Sequence, residues 1–165
     1  MDSNFRVEVS KDYLVFASAH FITFQGHQCE ALHGHNYRLR VAVEGEIDPE
    51  VAFVVDFSIV KKIAKQALEP IDHKVLLARD NPKLAYREEN DRVHVDYFGK
   101  AYFTFPKKDC ALLPITNTTA EMLAQYLAKE MKRAFLKTGI QTLRKLEVEV
   151  EENYGLGLVI ADDET

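Results

Sequence analysis

Cys29-Glu30-Ala31-Leu32-His33-Gly34-His35-Asn36-Tyr37-Arg38-Leu39-Arg40-Val41-Ala42-Val43 is the stretch on which the reading of this chain turns. Tyr37, Leu39, Val41 and Val43 alternate with Arg38, Arg40, Ala42 and Glu44, the period of a strand with one buried face. His33 and His35 share the parity of those apolar residues. A strand that reaches back to them therefore turns both imidazoles inward. Two inward histidines at i and i+2 can reach one metal ion, and Gly34 leaves the backbone room between them. A third nitrogen from His20 completes three protein ligands with one open position, the pattern of a catalytic zinc site. The thiol of Cys29 is expected close to that ion. A metal, an open position and a thiol together point to an enzyme.

Upstream, Phe5, Val7 and Val9 alternate with polar residues and predict a first strand, continued after Lys11-Asp12 by Tyr13 to Ala19. Downstream, Asp56 is a fitting N-cap for a helix whose apolar positions are Ile59, Val60, Ile63, Ala64 and Leu68, ended by Pro70. A second helix opens with Thr118-Thr119-Ala120-Glu121, where Thr118 and Glu121 hold capping-box spacing. Its inward stripe is Leu123, Ala124, Leu127, Met131, Ala134 and Phe135, and Gly139 stops it. Leu146, Val148 and Val150 alternate with Glu147, Glu149 and Glu151 in a last strand. The charged, aromatic stretch from Arg79 to Pro114 reads as an extended hairpin around Phe98-Gly99-Lys100. No repeat or low-complexity segment interrupts the chain, so residues 1–165 read as a single domain.

Composition narrows the function. The chain has 165 residues, enough to bury a core, with 47% hydrophobic and 28% charged residues, figures that suggest neither disorder nor a membrane protein. A formal net charge of -5 gives no basic footprint for nucleic acid. Met1-Asp2-Ser3-Asn4 is acidic and polar with no apolar region after it, so no signal peptide is expected. Two cysteines, Cys29 and Cys110, make no disulfide framework, and a reducing cytoplasm is the expected setting.

Two further positions invite a chemical role. Glu152 continues the parity of Leu146, Val148 and Val150 and should point inward, where a carboxylate needs a partner. A ligand with a guanidine-like edge would supply one through a bidentate contact. Asp72-His73 follows the first helix directly, and a carboxylate beside an imidazole fixes its tautomer for acid–base work. Singly, each feature has a plainer reading. Cys29 can be a buried small hydrophobe, Asp72-His73 a helix exit, Glu152 a residue just past its strand, and Thr118, Thr119 and Glu121 a cap. His27 and His94 lack partners at metal spacing, and Cys110 has no chemical role.

The constellation is more specific than its members. Phe16-Ala17-Ser18-Ala19-His20 and Cys29 through Tyr37 resemble the opening of the 6-pyruvoyl-tetrahydropterin synthase family. The resemblance continues through Val54-Val55-Asp56-Phe57, Ile71-Asp72-His73, Thr118-Thr119-Ala120-Glu121 and Val148 to Glu152. It implies an α+β tunnelling fold (T-fold), an antiparallel four-stranded sheet with two helices on one face, here with the inserted hairpin added. It implies Zn2+ on His20, His33 and His35, and a triad of Cys29, Asp72 and His73 assembled across a subunit boundary. Glu152 would anchor the 2-amino and N3 edge of a pterin, and Thr118 and Thr119 would line its pocket. The implied partners are a small pterin triphosphate and further copies of the chain, in a hexamer built as a dimer of trimers.

The implied substrate is 7,8-dihydroneopterin triphosphate. The short gap from Cys29 to His33 resembles the 6-carboxytetrahydropterin synthases, which serve 7-deazaguanine and queuosine synthesis. The pyruvoyl product is one alternative. Glu30 suggests another, since some members use a glutamate here to form the folate precursor 6-hydroxymethyl-dihydropterin. A non-catalytic pterin binder on the same fold would have no use for Cys29, Asp72 and His73 together. Thr118 and Asn153 depart from the proline and threonine that the family pattern has at those places.

Overall fold

The alternation in the sequence is realised as strand pairing. The computed structural model describes residues 5–153 and 156–164. In it, β1 (Phe5–His20) pairs antiparallel with β2 (His33–Gly45), β2 with β8 (Leu143–Asn153), and β8 with β9 (Leu156–Glu164). β1 runs unbroken through its charged middle, but its register to β2 shifts between Ser10 and Val15. The shift changes the inward parity of β1 from odd positions, Val7 and Val9, to even ones, Leu14, Phe16, Ser18 and His20.

The four antiparallel strands expected from the resemblance are thus present, but the sheet is wider. β3 (Lys74–Ala78) and β7 (Cys110–Leu113) extend it in parallel, giving the order β7-β3-β1-β2-β8-β9. A parallel strand needs a crossover, and the helix ahead of β3 provides one. Both added strands are short apolar runs without alternation, which is why period two does not reveal them.

The stretch between β3 and β7 is not a single hairpin. It is a separate antiparallel sheet of β4 (Leu84–Glu89), β5 (Arg92–Tyr97) and β6 (Lys100–Pro106). The expected turn at Phe98-Gly99 is there, with positive φ at both residues, and Asn90-Asp91 makes a second turn of the same kind. A 3-10 turn at Lys107–Asp109 leads into β7.

α1 (Phe57–Leu68) and α2 (Ala120–Leu136) pack on one face of the larger sheet, and their stripes join Phe16, Tyr37, Leu39 and Val41 in the main core. The Phe16 and Tyr37 rings stack there with centroids 4.7 Å apart. Asp56 caps α1 by accepting from the Ser58 amide at 2.7 Å. The cap of α2 is Thr119 rather than Thr118, with Oγ1 accepting from the Met122 amide at 3.4 Å. Thr118 lies one residue earlier and is 1% exposed, its groups engaged in the interior. A second, smaller core of Phe21, Leu77, Val93 and Val95 joins the inserted sheet to the larger one. No described helix is long and apolar enough to cross a membrane.

Candidate functional site

The register shift in β1 assembles the site. It sets His20 opposite His33 and Ser18 opposite His35, with the even positions of β1 and the odd positions of β2 on the helix-covered face. The His20 ring centroid lies 4.7 Å from that of His33 and 5.2 Å from that of His35. One ligand atom from each of the three lies within 4.8 Å of the others. All three sequence-selected histidines therefore meet.

Their outer nitrogens are held. His20 Nδ1 is 2.8 Å from the Thr118 carbonyl, His33 Nδ1 is 2.9 Å from the Ala31 carbonyl, and His35 Nδ1 is 3.1 Å from Asn153 Oδ1. A carbonyl oxygen only accepts, so each contact draws the imidazole proton to Nδ1 and leaves Nε2 as a bare lone pair. His20 is 0% exposed, and its Nε2 is buried without a hydrogen bond. Burial lowers the pKa of His20 and keeps it neutral, the state in which it ligates. An orphaned buried lone pair beside two more imidazoles suits a divalent cation that favours nitrogen donors. His20, His33 and His35 could hold such a metal.

Glu152 faces this cluster, as strand parity requires. Its Oε1 lies 3.3 Å from His20 Nε2 and 3.6 Å from His35 Nε2. The Tyr37 hydroxyl donates to the same oxygen at 3.4 Å. Burial first, and the Glu152 charge second, push the Tyr37 pKa up, so it stays a donor. Sequence reasoning took Tyr37 only as a core residue, and nothing in its spacing distinguishes it from Leu39. Thr118 helps position His20 rather than capping the helix: its Oγ1 donates to the Phe21 carbonyl at 2.8 Å. Thr119 caps α2 beside it. Asn117, also missed, donates to the Thr23 carbonyl at 3.0 Å, and Asn81 donates to Thr23 Oγ1 at 2.8 Å.

Cys29 and Glu30 lie in a short antiparallel return. The Glu30 amide donates to the Ile22 carbonyl and the Phe24 amide to the Gln28 carbonyl, with Thr23 bridged to Cys29. Glu30 Oε2 lies 3.8 Å from His33 Nδ1 and accepts from the Ile22 amide at 3.3 Å. Cys29 is not among the grouped ligand atoms, and its side chain packs against the second core. Burial pushes the thiol pKa up.

Asp72 and His73 form their dyad, with Asp72 Oδ1 2.9 Å from His73 Nδ1 and also accepting from the Ala17 amide at 2.9 Å. The His73 side chain is 81% exposed. The dyad borders a concavity shared with Ala17, Gly34, His35 and Asn36. A single chain brings these two residues to each other, not into the group of three ligand nitrogens.

The family profile described as 6-pyruvoyl tetrahydropterin synthase matches residues 8–161. A Methanocaldococcus jannaschii protein provisionally named 6-carboxy-5,6,7,8-tetrahydropterin synthase is 37% identical over 87% of each chain. A Haemophilus influenzae protein named 6-carboxy-5,6,7,8-tetrahydropterin synthase is 29% identical over 76% of this chain and 82% of its own. The crystal structure of Plasmodium vivax 6-pyruvoyl tetrahydropterin synthase superposes with a TM-score of 0.89 at 28% identity, over 99% of this chain and 100% of that one. A second structure of that enzyme, at a TM-score of 0.90, carries alanine in place of a glutamate described as a catalytic residue. The match over nearly the whole length makes this chain a member of the 6-pyruvoyl tetrahydropterin synthase family of pterin synthases.

Proposed function

We propose that this chain converts 7,8-dihydroneopterin triphosphate and water into 6-carboxy-5,6,7,8-tetrahydropterin, acetaldehyde and triphosphate. The observation that carries the reading is the convergence of three histidine nitrogens beside the inward carboxylate of Glu152. The names of the archaeal and Haemophilus relatives support the carboxy product. In this reading His20, His33 and His35 hold zinc, which when bound polarises the substrate's side-chain hydroxyls.

The remaining work falls to the chain itself. Glu152 accepts from the 2-amino group and N3–H of the pterin, and Tyr37 orients it through the shared oxygen. Thr118 and Thr119 border the ring. Asp72 holds the proton of His73 on Nδ1, leaving Nε2 to accept one from the substrate. Since one chain keeps this dyad apart from the histidine cluster, the reading requires a neighbouring subunit, as in a dimer of trimers. Cys29 acts as the second proton acceptor in this reading once its side chain leaves the second core. The side-chain carbon is oxidised as the ring gains two electrons, so no external nicotinamide is consumed. The proposed setting is a cytoplasmic route to 7-deazaguanine and queuosine.

One observation favours a second product. Glu30, not Cys29, contacts His33, and a glutamate is described as catalytic in the Plasmodium vivax neighbour. With Glu30 as the acting group, 6-hydroxymethyl-dihydropterin is formed. Incubating the zinc-loaded protein with dihydroneopterin triphosphate and identifying products by mass spectrometry tests both. Acetaldehyde with the carboxy product supports the first, the hydroxymethyl product the second. No turnover overturns both.

A further inference from the structure

We propose that Asn117 is a positioning residue for the metal site, gripping residues 20–23 so that His20 and the 22–30 return keep their places against His33. The inference deepens the zinc and pterin reading above and rests on it. β1 ends at His20, and the chain then leaves the sheet. Backbone groups that lose their strand neighbours need other partners. Residues 20–23 find them on Asn117, Thr118 and Glu30.

The bonds follow in order along the segment. His20 Nδ1 lies 2.8 Å from the Thr118 carbonyl, and the Thr118 hydroxyl donates to the Phe21 carbonyl at 2.8 Å. Both backbone groups of Ile22 go to Glu30: the amide donates to Oε2 at 3.3 Å, and the carbonyl accepts from the Glu30 amide at 2.9 Å. Both backbone groups of Thr23 go to Asn117, the amide to Oδ1 at 3.3 Å and the carbonyl to Nδ2 at 3.0 Å. The same Oδ1 accepts from the Thr118 amide at 3.2 Å. One side-chain amide therefore fastens Thr23 to the residue whose carbonyl orients His20. An amide that pairs both backbone groups of one residue fixes that residue's register, as a strand neighbour would. Fixing Thr23 fixes Ile22, and Ile22 holds the Glu30 carboxylate 3.8 Å from His33. Thr23 is also bridged to Cys29, so the grip places the backbone of either acting group. Thr23 and Thr118 are buried, and buried Asn81 donates to the Thr23 hydroxyl at 2.8 Å. Truncating Asn117 leaves two amides and a carbonyl without their partners in that interior.

The test compares wild type with Asn117→Ala, Asn117→Asp and Asp56→Ala. The last removes the cap of α1, outside the histidine cluster, and reports what lost stability alone does. In Asn117→Ala, zinc affinity by chelator competition should fall about fivefold, less than the about 10–100-fold for a ligand's own outer partner, because Asn117 acts through Thr118. At saturating zinc, its kcat on dihydroneopterin triphosphate should fall roughly tenfold, within the ~100-fold that a small misplacement can cost. KM should stay close to wild type, since Glu152 still anchors the ring. Asn117→Asp keeps an oxygen for the two amides but loses the donor to the Thr23 carbonyl. It should hold zinc like wild type and still lose kcat. Asp56→Ala should match wild type in both. Zinc affinity or kcat unchanged in Asn117→Ala, or equal losses in Asp56→Ala, overturns the inference. A wild type that binds zinc without turning the substrate over overturns the pterin reading instead, and the zinc affinities then decide the role of Asn117. A wild type that binds no zinc overturns the metal reading and the inference with it.

Discussion

Each imidazole of the histidine cluster keeps its proton on Nδ1 because an oxygen waits there, and for His35 that oxygen belongs to the side chain of Asn153. The anchors of His20 and His33 are backbone carbonyls, which substitution cannot delete. Outer partners of metal-binding histidines are worth about 10–100-fold in affinity. Asn153→Ala should therefore weaken zinc binding by about tenfold in competition with a chromogenic chelator, and Asn153→Asp, which keeps an acceptor, should restore most of it. Equal affinity in all three proteins would remove Asn153 from the site. The same scale shows why parts of the cluster are legible and others are not. His33 and His35 follow from simple alternation with Tyr37, and Glu152 from alternation with Val150. His20 does not, because unbroken alternation from Val7 and Val9 would put residue 20 on the outer face. The shift between Ser10 and Val15 turns it inward, and no apolar pattern in Lys11-Asp12-Tyr13 announces that shift.

Elements were legible where their period was long enough to repeat. α1 and α2 lie where their stripes and stop signals put them, while β3 and β7, five and four residues of mostly apolar sequence, show no period at all. The α2 cap was ambiguous for a different reason: two adjacent threonines can each serve, and the choice depends on which one the interior claims. Thr118 is claimed by the Phe21 carbonyl and by His20, so Thr119 caps. Thr119→Ala should accordingly lower unfolding free energy by about 1 kcal/mol in urea denaturation, with zinc affinity unaltered. A loss of zinc affinity would show that the cap and the ligand loop are one unit. Gly45 ends β2 for a steric reason. A Cβ there would meet the Thr142 carbonyl oxygen at 2.0 Å and Val54 Cγ1 at 2.9 Å, so the β2–β8 end must move to admit one. Gly45→Ala should cost about 1–3 kcal/mol, read in the same denaturation experiment. A change within error would mean that this end of the sheet yields freely.

Across the whole molecule the larger sheet divides its two faces sharply. The helix side carries the core and the histidine cluster, while the opposite side carries charges that pair across strands. Arg6 contacts Glu44 at 2.9 Å and Glu147 at 2.5 Å, and Arg40 pairs with Glu8 and Glu149. The alternation of Glu147, Glu149 and Glu151 with apolar residues made the second face readable as polar, but the pairing needed the strand order β1-β2-β8, which no local pattern encodes. Glu147 gains most. Hydrogen bonds from Arg6 first and Lys145 second hold its carboxyl at about 2, below the 4.5 of an unperturbed glutamate. A depressed folded-state pKa means that the stabilisation is complete above pH 4.5 and is lost as pH falls toward 2. Arg6 is 42% exposed, so water screens the pair and the contribution is about 1 kcal/mol. Glu147→Gln should then be less stable than wild type by that amount at pH 7, and the gap should close between pH 4.5 and 2 in urea titrations. A gap that persists undiminished at pH 2 would assign the loss to packing across β1, β2 and β8, and not to the charge that joins them.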